Sequence, residues 1–203
     1  MQTKSINYEK SKDLQKKKVS ILKRLLCFIK DIEKTGNKNY LFGKIYHKIF
    51  YTSMINKEIK LGNISENSKV LHIGSGPFPM TAIQLIEKNI KIDCVDNDLN
   101  AIECSKVLLK KIPNNHLVQI IHCDGKNIDY SKYDVIILSL HVTPKDIIIK
   151  NILNSVESGT AIVYRNPRSW LNKFYPKYYP KKGFGKIEKV RQTFGKESVV
   201  LYK

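Results

Sequence analysis

With 203 residues, 42% of them hydrophobic, the chain is expected to form one globular domain with a short extension, and its four scattered cysteines exclude a Cys-x-x-Cys metal site. No apolar stretch is long enough to cross a membrane and the first twenty residues lack the apolar core of a secretory signal, so we expect a cytoplasmic protein with reduced thiols and no metal. The formal net charge of +18 would attract an anionic partner such as nucleic acid, but a solvated coat of lysines explains it equally well.

The N-terminal residues, 1–62, predict a small helical extension. Residues 1–18 are polar and lysine-rich, and from position 19 apolar residues recur every three or four positions as far as Ile32, which predicts an amphipathic helix. This helix could pack on the main domain, which we favour, or lie on a membrane surface. A second helical stretch runs through Tyr46 and Met54 to Gly62.

The remaining residues, 63–203, alternate strands and helices, which is typical of a parallel sheet covered by helices on both faces. The predicted strands are 69–73, 92–95, 116–121, 133–140 and 160–164, and the predicted helices are 79–88, 99–110 and one that begins near Pro144. Two short strands, 185–190 and 198–202, follow and are joined near Gly195. A closing antiparallel hairpin after five parallel strands predicts an α/β, Rossmann-like fold of the class I methyltransferase type.

A glycine turn lies between the first predicted strand and its helix. Gly74, Ser75 and Gly76 let the backbone turn tightly and approach a ligand closely. Asp96 stands at the end of the next strand, where its carboxylate can accept hydrogen bonds from both hydroxyls of a ribose. Pro79 replaces the third glycine of the dinucleotide fingerprint, which counts against NAD. The spacing therefore predicts a nucleoside-binding turn, with Pro77 and Asn97 as further contacts.

Two more aspartates follow predicted strands. Asp124 comes after the third strand, where it could bind the exocyclic amine of adenine. Asp98 follows Asp96 and is either a helix cap or part of the site. Each aspartate alone is more often a cap or a turn residue, and the prediction rests on their occurring together.

The segment Gly74-Ser75-Gly76-Pro77-Phe78-Pro79-Met80-Thr81 resembles the Gly-Ser/Gly-Gly-Pro-Leu-Pro-x-Thr signature of nicotianamine synthases and related opine-metallophore synthases. Generic methyltransferases usually have an acid two residues before the first glycine and a third glycine two residues after the second, where this chain has His72 and Phe78. The likeness extends from Phe50-Tyr51 to the C-terminus and includes the residues around Asp96 and Asp124 and the segment 160–165.

The resemblance implies an S-adenosylmethionine-dependent transferase that moves the 3-amino-3-carboxypropyl group onto an amine of a small amino-acid-like acceptor, in metallophore biosynthesis. A conventional methyltransferase acting on a small molecule, or less readily on RNA, would share the same S-adenosylmethionine site. The segment from Ser139 to Pro144 lacks the Asn/Asp-Pro-Pro-Tyr pattern of enzymes that methylate base amines. A cofactor-binding partner without activity is a third interpretation, and the sequence predicts no oligomeric state.

The resemblance also implies residues for proton transfer. Tyr51 matches a tyrosine of the family's reaction pocket and is predicted to position the amine or to accept its proton, although an ordinary core aromatic is nearly as good an interpretation. The family uses a glutamate from its N-terminal helical region as the base. Glu58 and Glu33 are the candidates in this chain.

The remaining candidates follow the fourth and fifth strands, where ligands meet open α/β sheets. His141 is a candidate catalytic group, and Arg165 could bind a substrate carboxylate with two parallel hydrogen bonds. A capping histidine and a surface arginine are equally good interpretations. The aromatic residues from Trp170 to Tyr179 are predicted to wall the pocket, with Tyr175 in contact with substrate.

Overall fold

The computed structural model describes residues 51–173, 175–192 and 195–203, with only the backbone of Trp170. The predicted amphipathic helix, Glu33 and Phe174 lie outside the described residues. Residues 47–203 group as one compact unit, and the boundary expected after residue 62 stays a prediction. In the part of the chain that is described, no helix is long and apolar enough to cross a membrane.

A seven-stranded sheet forms the frame, with the strand order β3-β2-β1-β4-β5-β7-β6. In chain order the strands are β1 (Val70–Ile73), β2 (Ile92–Asp96), β3 (Val118–His122), β4 (Val135–Leu138), β5 (Ala161–Pro167), β6 (Lys186–Arg191) and β7 (Lys196–Tyr202). The first five are parallel, and β7 pairs antiparallel with both β5 and β6. The predicted class I methyltransferase fold is confirmed.

Four α-helices accompany these strands in the described residues. They are α1 (51–61), α2 (Met80–Ile86), α3 (Leu99–Leu109) and α4 (Lys145–Ser155). The third strand begins later than predicted because Asn115–Leu117 form a 3-10 turn after Asn114, whose φ is 60°. The fifth strand runs three residues beyond the predicted end at Tyr164, because β7 pairs with it as far as Pro167. Arg165 therefore lies inside the strand rather than after it.

Apolar layers cover both faces of the sheet. Because side chains alternate between faces along a strand, Leu71 and Ile73 of β1 pack on the α4 side, whereas Val70 packs beneath α1 and α2. The strands β1 and β4 are buried at every residue, as expected of central parallel strands. Each fully buried Leu or Ile contributes about 1.5–3 kcal/mol, so these layers hold the carboxyl ends of the central strands in fixed positions.

Candidate active site

The glycine turn after β1 adopts backbone angles that favour glycine. Gly74 and Gly76 have φ of 76° and 69°. A Cβ on Gly74 would lie 2.6 Å from Cγ2 of Val142, whereas a Cβ on Gly76 would meet no described atom within 4 Å. The turn is tied to β2, because the N–H groups of Gly74 and Ser75 donate to the carbonyl of Val95 at 2.8 and 3.2 Å. The backbone at Gly76 is thus held firmly beside open space.

Asp96, the last residue of β2, holds this turn through its carboxylate. Its Oδ2 accepts from the N–H of Gly76 at 2.8 Å, and its Oδ1 accepts from the N–H of Asp98 at 3.0 Å. Each carboxylate oxygen has a further lone pair, so both can still accept a ligand hydroxyl. Asp98 caps α3 by accepting from the N–H of Asn100 at 3.0 Å, while Asn97 is exposed between the two aspartates.

Asp124 lies at the same edge of the sheet, because the N–H of Cys123 donates to the carbonyl of Asp96 at 3.1 Å. Its carboxylate accepts from the N–H of Lys126 at 2.9 Å and lies 3.1 Å from the ammonium of that lysine. The hydrogen bond from the N–H of Lys126, with help from the ammonium of that lysine, holds the pKa of Asp124 below its ordinary value, although burial acts in the opposite direction. Asp124 is therefore an anion and an acceptor at this edge.

A buried ion pair joins α1 to β5. Arg165 donates from Nε to Oε1 of Glu58 at 2.9 Å and from Nη2 to Oε2 at 2.7 Å. Glu58 is 1% exposed and Arg165 is 5% exposed. The two parallel hydrogen bonds that the sequence analysis expected from Arg165 to a substrate are thus made to Glu58. That Arg165 contacts a substrate, and that Glu58 acts as a base, stay predictions.

Polar side chains from α2, from β7 and from the residue that follows β6 complete this pair. Nη2 of Arg165 also donates to Oγ1 of Thr81 in α2 at 3.0 Å. Oγ of Ser198 in β7 donates to Oε1 of Glu58 at 2.5 Å and accepts from Nε2 of Gln192 at 3.0 Å. Both carboxylate oxygens of Glu58 are therefore hydrogen-bonded, as a buried charge requires.

Tyr51 lies at the start of the described part of α1, half-buried against the apolar side chains beneath that helix. The ammonium of Lys196, the first residue of β7, lies 5.6 Å from the centroid of the Tyr51 ring. Burial lowers the pKa of Lys196 and the neighbouring Arg165 lowers it further, with Glu58 partly opposing them. Two residues of α1, Tyr51 and Glu58, thus lie close to Arg165 and Lys196.

His72 lies two positions after Val70 on the same face of β1, where its Nε2 lies 2.9 Å from Oγ of Ser139. Burial lowers its pKa well below the ordinary value, and Arg165 and His141 lower it further, so the imidazole is neutral. Nδ1 of His72 and Oγ of Ser75 are buried and have no hydrogen-bond partner among the described residues. Such groups are costly unless a ligand or water satisfies them.

His141 is exposed just after β4, and its Nε2 would lie 3.7 Å from a Cβ on Gly74. It is therefore beside the glycine turn, as expected of a group that meets a bound ligand. Tyr175 is half-buried after the short 3-10 turn Ser169–Lys173, and its N–H donates to the carbonyl of Leu171 at 3.1 Å. The predicted ligand contacts of His141 and Tyr175 stay predictions.

Lys145 is a buried charged residue that the sequence analysis missed. It begins α4, is 6% exposed, and donates from Nζ to the carbonyls of Leu140 at 3.1 Å and Arg165 at 2.6 Å. Burial, with a contribution from Arg165, lowers its pKa to about 8. Both Lys145 and Lys196 were missed because lysines are so abundant in this sequence that one removed from solvent does not stand out. The one local sign for Lys145 is that it stands at the start of the apolar run of α4.

Comparisons with known proteins bear on the family and the fold of this chain. The family model described as nicotianamine synthase protein matches residues 37–190. The L-histidine 2-aminobutanoyltransferase of Yersinia pestis is 28% identical over 116 residues, which cover 57% of this chain and 43% of that protein. This chain thus spans less than half the length of that relative.

Solved structures share the fold. A glutamate-to-glutamine variant of MtNAS in complex with S-adenosylmethionine matches with a TM-score of 0.69 at 19% identity, over 87% of this chain and 71% of that chain. An RNA methyltransferase from Salinibacter ruber in complex with S-adenosyl-L-homocysteine matches with a TM-score of 0.56 at 14% identity, over 74% of this chain and 89% of that chain. At these identities the structures support the fold alone. The family match covers most of the chain, including the glycine turn and Asp96, and so the chain belongs to the nicotianamine synthase family.

Proposed function

We propose that this protein is an S-adenosylmethionine-dependent transferase that moves the 3-amino-3-carboxypropyl group onto an amine of a small amino-acid-like acceptor. The observation that carries the proposal is the family match over residues 37–190, which include the glycine turn, Asp96 and Arg165. The name of the Yersinia pestis relative, a histidine aminobutanoyltransferase, supports an amino acid as acceptor.

The residues at the glycine turn fit an adenosyl group. The backbone at Gly76 is beside open space, Oγ of Ser75 is buried and lacks a described partner, and both oxygens of Asp96 can accept further hydrogen bonds. We propose that Gly74, Ser75, Gly76 and Pro77 hold the methionyl side of the ligand. Asp96 and Asn97 would bind the ribose, and Asp124 the adenine amine.

S-adenosylmethionine supplies a sulfonium that makes its attached carbons electrophilic, so attack by an amine on the aminocarboxypropyl carbon releases methylthioadenosine. An amine attacks only when it is neutral, and a nearby group must therefore take its proton. Glu58 is fully engaged with Arg165 and Ser198, which suits positioning better than proton transfer. We propose that Tyr51 and His141 orient the amine and take up its proton, while Glu58 positions Arg165.

The finer biological setting is part of the same proposal. A product with several amines and carboxylates would bind a transition metal, which suits metallophore biosynthesis. Cys94, Cys104 and Cys123 are free thiols, which suits the reducing cytoplasm.

Product analysis tests the proposal. The full chain is incubated with S-adenosylmethionine and a panel of amines that includes L-histidine, and the sulfur-containing by-product is identified by mass spectrometry. We expect methylthioadenosine, and far less of it from the Asp96→Ala variant at the same concentration of S-adenosylmethionine. S-adenosylhomocysteine would instead identify a methyltransferase. Neither by-product from a protein that binds S-adenosylmethionine in calorimetry would identify a cofactor-binding partner without activity.

A further inference from the structure

Lys196 is a half-buried cation that lies near other charged groups and pairs with no carboxylate among the described residues. Among the described residues, ion pairs are formed by Lys126, Arg165 and Lys186, and Lys196 forms none. Its neighbours are the Tyr51 ring, Arg165 and Glu58. Lys196 therefore has a favourable contact with an aromatic face, but the part of the chain that is described offers it no ion-pair partner.

Among the described residues, the carboxylate that acts on Lys196 is that of Glu58, and it already has partners. Glu58 is bound by two nitrogens of Arg165 and by Ser198, so it neutralises the guanidinium and offsets the charge of the Lys196 ammonium only in part. Lys145 adds further positive charge at the carbonyl of Arg165. Charges removed from water are stable only when paired, so this excess fits an anionic group on a ligand.

We propose that Lys196 binds the carboxylate of an α-amino-acid ligand beside the Tyr51 ring. The inference rests on the proposed function and extends it, because it names the residue that recognises the carboxylate. The carboxylate belongs either to the aminocarboxypropyl group of S-adenosylmethionine or to the acceptor amino acid. Lys196 is then a specificity residue, since a charge-assisted hydrogen bond to it separates an amino acid from the corresponding simple amine.

The chain offers a matched control on the neighbouring strand. Lys189 in β6 also lies over a tyrosine ring, with its ammonium 4.1 Å from the centroid of Tyr179, but it is exposed. Lys189→Gln and Lys196→Gln make the same change in charge and in packing over a ring. A difference in ligand affinity between the two variants is therefore due to the half-buried position of Lys196 and not to the loss of a lysine as such.

The test is calorimetric binding of two ligand pairs that differ by one carboxylate. The first pair is S-adenosylmethionine and its decarboxylated form; the second is L-histidine and histamine, added to protein saturated with methylthioadenosine. In Lys196→Gln we expect the carboxylate-bearing member of at least one pair to bind roughly tenfold or more weakly, with its partner unchanged within about twofold. Lys196→Arg should retain most of the affinity, and Lys189→Gln should match the wild type.

The pair that responds identifies the source of the carboxylate, and either result supports the inference. Loss of affinity for neither carboxylate, or equal loss for both members of each pair, overturns the role of Lys196 while leaving the proposed function standing. If the wild-type protein binds neither form of S-adenosylmethionine, the proposed function fails and the inference fails with it. Thermal melts of each variant separate a loss of binding from a loss of folding.

Discussion

Asp96 acts on both the backbone and the proposed ligand. Its carboxylate fixes the N–H groups of Gly76 and Asp98 and would also accept the ribose hydroxyls. We expect Asp96→Ala to weaken the binding of S-adenosylmethionine by roughly 100-fold or more, because several charge-assisted hydrogen bonds are lost together. Isothermal titration calorimetry measures the change.

Asp98→Asn is the control for this variant. Asparagine caps a helix as well as aspartate does, so α3 keeps its first turn and the ligand affinity should stay at the wild-type value. Unchanged affinity in Asp96→Ala would contradict the proposed site. A comparable loss in Asp98→Asn would show that negative charge at this edge matters and not the position of Asp96.

At this scale the sequence predicts individual positions better than it predicts contacts. Gly74 and Gly76 were predictable, because their positive φ angles leave little choice of residue. The pairing of Arg165 with Glu58 was not, since 107 residues separate them and only the folded sheet brings them together. Single-residue patterns therefore identify the glycine turn but not the hydrogen-bond network around Glu58 and Arg165.

The helix α1 is attached to the sheet by apolar contacts and by the buried pair Glu58–Arg165. We expect Glu58→Gln to lower the free energy of unfolding by about 3 kcal/mol, because it leaves the guanidinium of Arg165 buried without its counter-charge. Urea denaturation measures this, with the exposed Glu157→Gln as a control that should change little.

A double variant separates the effect of an unpaired buried charge from the effect of changed packing. Glu58→Leu combined with Arg165→Met removes both charges and should be more stable than Glu58→Gln alone, since no buried charge is left unpaired. A loss below about 1 kcal/mol in the single variant would be that of an exposed pair and would contradict the buried geometry.

Lys145 at the start of α4 couples stability to pH. The unfolded chain keeps this lysine protonated up to about pH 10.5, whereas burial lowers the folded pKa to about 8. Between these values the unfolded state binds more protons, so the contribution of Lys145 to the free energy of unfolding rises with pH. We expect the difference in stability between wild type and Lys145→Met to grow by at most about 3 kcal/mol from pH 8 to 10.5.

Urea denaturation at several pH values measures this difference, and the comparison with the variant cancels the titration of other groups. Lys150→Met, an exposed change on the same helix, should leave the pH slope of the wild type unaltered. A stability difference that stays flat above pH 8 would show that Lys145 retains an ordinary pKa in the folded chain.

Elements were predictable where burial dictates a continuous pattern. The strands β1 and β4 are buried at every residue, and their apolar runs identified them. Their ends were less predictable because they depend on partners from elsewhere in the chain: β5 extends to Pro167 only because β7 pairs with it. The pairing also places Lys196 opposite Pro167, which no local pattern could indicate.

The order of the whole sheet follows from the alternation of elements together with short, right-handed connections. Among the five parallel strands β1 is central, with β2 and β3 on one side and β4 and β5 on the other, so the chain reverses direction across the sheet beside the glycine turn. Ligands bind open α/β sheets at such a point. The fold therefore predicts a ligand site at the same edge of the sheet that Asp96, Asp124 and His141 occupy.

The net charge of +18 is a property of the whole molecule, and it raises the alternative that the substrate is a nucleic acid. The salt dependence of RNA binding tests this alternative. If the lysines are a solvated coat, RNA binds only through its phosphates, and its affinity falls steeply with salt as counterions compete.

We expect the affinity for a mixed-sequence single-stranded RNA to fall roughly 100-fold between 50 and 200 mM KCl, with no preference between sequences. Methylthioadenosine formation with a small amine should change by less than about threefold, because direct contacts at partly buried groups are screened much less than exposed charges. Fluorescence anisotropy and the product assay measure the two responses in the same buffers, and sequence-selective RNA binding that survives 200 mM salt would instead point to a nucleic-acid substrate.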